Sequence, residues 1–129
     1  MNATKTLVTA FIKGRAAVSH KDNDTRNTQI EIIKTCLRKI LGAMVLQEYT
    51  EYEERKVNNA ARNGVVSEMI GMVVAMKYVP GKIISDVQIN DLLTHLHAND
   101  TEHGIWQITD ADVDYVKDQV VSIFGVNLK

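Results

Sequence analysis

The chain has 129 residues, 45% hydrophobic and 24% charged, with a formal net charge of −1. These values fit one globular domain with a buried core and exclude a disordered or low-complexity chain. No apolar run approaches the roughly 20 residues needed to cross a bilayer.

The net charge hides an asymmetry. Residues 1–40 carry eight Lys/Arg against three acids, net +5, whereas residues 41–129 carry seven against thirteen, net −6. A basic first third can meet an acidic partner, nucleic acid included, or be a set of solvated helix faces. The N-terminus lacks a positive start followed by a sustained apolar core, so no signal peptide is expected. The single Cys36 cannot form an internal disulfide, which fits a reducing, cytoplasmic setting.

Taken in chain order, the hydrophobic periodicity is helical almost throughout. Residues 4–19 place Leu7, Val8, Phe11, Ile12 and Val18 on one side of a first helix. The turn formers of "SHKDNDTRN" interrupt it and offer Asp24 or Thr25 as the next N-cap. Ile30, Ile33, Leu37, Ile40, Leu41 and Met44 then mark a strongly amphipathic helix, with Lys34, Arg38 and Lys39 mostly on its other side. "QEYTEYEERKVNNAARNG" is polar but tolerates helix. Glu51 and Arg55 form an i,i+4 pair in the favourable order, and Asn63-Gly64 is a break or C-cap.

"VVSEMIGMVVAMKYV" is the most apolar segment and is expected to be the central buried helix, although its β-branched residues also admit a strand. Pro80, the only proline, disfavours helix at Val79 and ends this segment. Ser85 and Gln88 form a capping box that opens a further helix carrying Ile89, Leu92, Leu93 and Leu96. "HANDTEHGIWQI" is a loop. Thr109 and Asp112 form another box, and Val113, Val116, Val120 and Phe124 make the stripe of a last helix that Gly125 ends. The expectation is an all-α fold of five to six helices in a single domain, residues 1–129. Residues 1–79 form an antiparallel helical bundle and residues 80–129 a small helical subdomain.

Candidate chemistry is sparse. His95, His97, Glu102 and His103 include zinc-ligating types, but His95 and His97 are i,i+2 and do not share a helix face. The acids Glu48, Glu51, Glu53, Glu54 and Glu68 suggest a magnesium site, with Glu51 and Glu54 at i,i+3 and Glu68 able to face them, yet the facing carboxylate pair is incomplete. Cys36 beside the apolar stripe is expected to be a buried structural thiol. With no Gly-rich phosphate loop and no nucleophile with partners, the expectation is no enzyme activity, no metal and no cofactor.

Three stretches resemble the GatB/YqeY tail family, which includes the helical tail domain of an aminoacyl-tRNA amidotransferase subunit. "IKGRAAVSHKDNDTRNTQIEIIK" is similar to that family's opening. In "NNAARNGVVSEMIGMVVAMKYVPGKIISDVQINDLL", the residues Arg62, Glu68, Tyr78, Val79, Pro80 and Ile89 take the family's places. "DADVDYVKDQVVSIFG" is similar to its closing helix. The chain departs from the pattern in its apolar helix before Pro80, its shortened middle, and "HANDTEHGIW" in place of a lysine-rich stretch.

The resemblance implies a non-catalytic binding or adaptor module associated with tRNA, with Lys13, Arg15, Lys21, Arg26, Lys34 and Arg38 as a phosphate-facing surface. The alternative is a protein–protein interaction module or homodimer, anchored by Val73, Val74, Met76 and the loop residue Trp106.

Overall fold

The structure, a computed structural model, describes residues 2–127. All regular structure among them is helical. The five helices are α1 (Ala3–Ser19), α2 (Asn23–Arg55), α3 (Asn59–Ala75), α4 (Asp86–His95) and α5 (Asp110–Phe124), with 3-10 turns at Met76–Tyr78 and Gly104–Gln107. The strand alternative for the Val65–Val79 segment is not realised.

Local chemistry explains the boundaries. The two capping boxes form as expected, Ser85 with Gln88 and Thr109 with Asp112. Gly125 ends α5 in the left-handed conformation, φ +60°, where glycine carries no Cβ penalty. Val79 is extended before Pro80, so the proline stops the α3 segment. Two boundaries differ from the expectation. Asp22, not Asp24 or Thr25, caps α2 by accepting from the Thr25 N–H at 3.0 Å. Asn63-Gly64 does not break the chain, because Asn58 already caps α3 by accepting from Ala61.

One core holds the molecule together, drawn from the second half of α2 and from α3, α4 and α5. Val45, Tyr52, Met69, Val73, Leu92, Leu96, Val116 and Phe124 belong to it, so it takes residues from both sides of Pro80. Gly42 lets α5 approach closely, since a Cβ there would lie 2.9 Å from Phe124 Cβ. Tyr49 and Tyr52 of α2 donate to Asp114 and Asp110 of α5 at 2.8 and 2.9 Å.

The first helix is organised differently. It packs on the first half of α2 as an antiparallel hairpin and buries only Ala10 and Ala17. The large residues Val8, Phe11, Ile12 and Val18, expected from periodicity to face a partner helix, are more than half exposed. The small-residue side of α1 makes the contact instead. Small side chains allow close helix approach, and the bulky ones are left at the rim.

Candidate functional site

The six basic residues singled out by sequence do not form one surface. Arg15 of α1 and Arg26 of α2 line the same groove, with Phe11, Val18, Ile30 and Ile33 between them. Lys13 lies on the opposite side of the hairpin, beside Thr9 and Gln29. Lys21 occupies the α1–α2 turn with a left-handed φ of +58°. Lys34 pairs with Glu31 at 2.8 Å. Arg38 donates to the Gly81 carbonyl and to Thr35 Oγ1. Gly81 itself has φ +62°, and a Cβ there would also meet the Lys34 stem at 3.3 Å. The result is two pairs of cations, Arg15 with Arg26 and Lys34 with Arg38, joined by an apolar strip.

The proposed anchors on the third helix need correction. Val73 and Met76 are buried in the core. They lie on the stripe Val65–Met69–Val73–Met76, which turns inward against α2 and α4, so neither side chain is available to a partner. Val74 is at the surface, and Trp106 is 69% exposed on its 3-10 turn. Arg62 reaches the Trp106 carbonyl at 3.4 Å.

The strip between the cation pairs runs along α2. Ile30 and Met44 are exposed at its ends, and Ile33, Leu37, Ile40 and Leu41 lie partly covered between them. This is the amphipathic stripe that sequence marks on α2, and among the described residues it is only partly covered. A second groove of about 330 Å³ continues the first, lined by Leu37, Ile40, Met44, Tyr78, Val79 and Pro80. Pro80 therefore ends one helix and forms one wall of this groove.

The histidines meet in a way their spacing does not suggest. His95 ends α4, and His97 adopts φ +57° just beyond it. That left-handed residue closes a C-cap in which Ala98 N–H donates to the Leu93 carbonyl at 2.9 Å. The reversal brings His95 Nδ1 to 3.6 Å and His97 Nε2 to 3.4 Å from the two Asp112 oxygens. Asp100 lies 3.7 Å from His97 and 3.6 Å from His103.

Burial raises the Asp112 carboxyl, but the Thr109 hydroxyl and N–H, helped by His97 and His95, hold it below its ordinary value. The His103 N–H does the same for Asp100. His95 also stacks on Tyr115, with ring centroids 3.8 Å apart, and Tyr115 donates to Asp91 at 2.6 Å. This arrangement clasps the end of α4 to the start of α5. Among the described residues, no three His, Cys, Asp or Glu side chains converge in a way that could hold a metal ion.

Of the acids that sequence groups as a magnesium candidate, Glu48 is buried, which the sequence reading does not anticipate. Glu48 on α2 is 5% exposed, and its Oε2 has no hydrogen-bond partner. Desolvation pushes its pKa up, with further contributions from the neighbouring carboxylates of Glu68 and Glu51. The signal was present, since Val45, Glu48 and Tyr52 share one stripe at i, i+3 and i+7. A folded-state pKa above the unfolded value means that stability falls as pH rises from 4.5 through the raised value. Glu48→Gln is expected to stabilise by about 1 kcal/mol at neutral pH and to give little below the usual glutamate range. Thermal melts of both proteins across pH check this.

Comparison with curated proteins finds no match, and comparison with solved structures finds none. A family model described as a domain of unknown function (DUF4856) matches residues 1–127, nearly the whole chain. The chain therefore belongs to the DUF4856 family.

Proposed function

We propose that this chain is a non-catalytic helical binding module, with its N-terminal hairpin as the contact surface for a macromolecular partner. One observation carries the reading. Helices α2 to α5 close a core, while α1 leaves Val8, Phe11, Ile12 and Val18 facing outward. Apolar side chains gathered on one element and edged by cations are the usual form of a docking surface. In this reading the α4–α5 histidine clasp is structural, and Trp106 and Val74 are secondary contacts.

Site-specific photo-crosslinking tests the proposal. A crosslinker at Ile12 should give a discrete adduct in cells, and one at Val57, exposed in the α2–α3 turn, should give none. Equal or diffuse labelling at both positions overturns it.

The tRNA-associated reading, carried by the resemblance to GatB/YqeY tail domains, is favoured by the +5 charge of residues 1–40. It makes a separate demand, because phosphate contacts weaken steeply with salt. Labelled total tRNA should then bind at low salt, lose affinity at moderate salt, and lose it again on Arg15→Glu with Arg26→Glu. Binding that is insensitive to both changes would remove this reading.

A further inference from the structure

We infer that the hairpin groove and its continuation along α2 receive an amphipathic helix with acidic flanks, supplied by a different protein. The inference rests on the binding-module reading and names its partner.

Three observations lead there. The first is shape. The apolar strip follows one uninterrupted helix from Ile30 to Met44, about 21 Å at 1.5 Å per residue. Its walls are Phe11 and Val18 of α1 at one end and Tyr78 and Pro80 at the other. An apolar strip of roughly four turns, walled by α1 at one end and by Tyr78 and Pro80 at the other, suits the i, i+3, i+4, i+7 face of another helix.

The second is charge. Arg15 and Arg26 line one end. Midway along the strip, Arg38 reaches the Gly81 carbonyl next to Pro80, with the Lys34 stem alongside and the Lys34 ammonium paired with Glu31. The first helix contains no acid, and two of the three acids of residues 1–40 already have partners. Asp22 caps α2, and Glu31 pairs with Lys34. Apolar anchors in the trough and carboxylates along its edges complete both features.

The third excludes a second copy. Another hairpin would bring Arg15 and Arg26 to the same rim, and like charges across an interface oppose pairing. The chain's own acidic helix, α5, cannot serve, because its apolar stripe of Val113, Val116, Val120 and Phe124 is already in the core.

Two fluorescein-labelled synthetic helical peptides test the inference. They share one leucine stripe and differ only in flanks, glutamate in one and lysine in the other. Anisotropy with the full chain is expected to show the glutamate peptide binding at least about tenfold more tightly, with affinity falling as salt rises. Arg15→Glu with Arg26→Glu should reverse the preference, and Phe11→Ser should weaken both peptides. Circular dichroism establishes that each variant is folded, and Phe11→Ser stands alone if the charge-swapped variant is not.

Equal binding of both peptides overturns the charge assignment and leaves the docking reading intact. Failure of both peptides, with a discrete Ile12 adduct or tRNA binding still present, overturns this inference alone. Failure of both together with no adduct and no tRNA binding overturns the module reading too. A dimer broken by Phe11→Ser would make a second copy the occupant and overturn the inference.

Discussion

Replacing Gly42 by valine is expected to destabilise the protein by about 3 kcal/mol, a fall in Tm of roughly 10 °C for a chain of this size. The reason is the approach of α2 to α5. A Cβ at position 42 would stand 2.9 Å from Phe124 Cβ, 3.0 Å from its Cγ and 3.3 Å from Val126 Cγ2. The first of these atoms is fixed to the α5 backbone, so it cannot swing aside as the end of a flexible side chain would. Either α5 moves outward, opening space around Val116 and Val120, or Phe124 leaves its rotamer. Alanine is the informative comparison. It gains about 1 kcal/mol of helix propensity over glycine, and this offsets only part of the strain, so a net loss of about 1 kcal/mol is expected. Urea denaturation of the two variants measures both. An alanine variant more stable than the parent would mean that the two helices do not touch at this point.

The second large effect is expected at Tyr52. Its ring is buried, and its hydroxyl donates to Asp110 at 2.9 Å. Tyr52→Ala should cost about 3–5 kcal/mol, the range for emptying a large aromatic site in a core. Tyr52→Phe keeps the ring and removes only the hydrogen bond. It should cost about 1.5 kcal/mol, because the acceptor is charged but reaches solvent.

Alkaline pH separates the two contributions. Burial and the Asp110 bond push the Tyr52 pKa up from 10.0 to about 12. Folding therefore holds the proton more tightly than the unfolded chain does. Stability is undiminished below pH 10 and falls as pH climbs from 10 to about 12. Tyr52→Phe should flatten that part of the profile. An unchanged alkaline limb in the phenylalanine variant would show that another group is responsible for it.

The sequence was most informative where structure is local. Ser85 with Gln88, Thr109 with Asp112, Pro80 after Val79, and Gly125 each act within a few residues, and each boundary falls where those residues put it. Competition between equivalent signals misled it. Three asparagines lie within six residues, and nothing in their order says that Asn58 rather than Asn63 starts α3. Asp22 and Asp24 pose the same problem for α2.

The stripes were read correctly as apolar faces, but a stripe does not say what lies opposite it. The stripe of α3 is covered by α2 and α4, which removes Val73 and Met76 from the surface. The stripe of α2 has α1 beside one end and Tyr78 to Pro80 beside the other, which leaves it partly open. The meeting of His95 and His97 on Asp112 depends on a left-handed residue beyond a helix end, and helical spacing has no means of anticipating it.

The length of α2 has a mechanical meaning. Its 33 residues extend about 50 Å at 1.5 Å per residue, with no proline to interrupt the hydrogen-bond ladder. One end carries the hairpin trough, and the other ends at Tyr52 and Lys56, both bonded to Asp110. The helix is thus a strut with a cargo end and an anchored end. Whatever seats itself in the trough is held at a fixed distance and heading from the α4–α5 clasp. If the chain is the binding module proposed above, α2 makes it a spacer of fixed length.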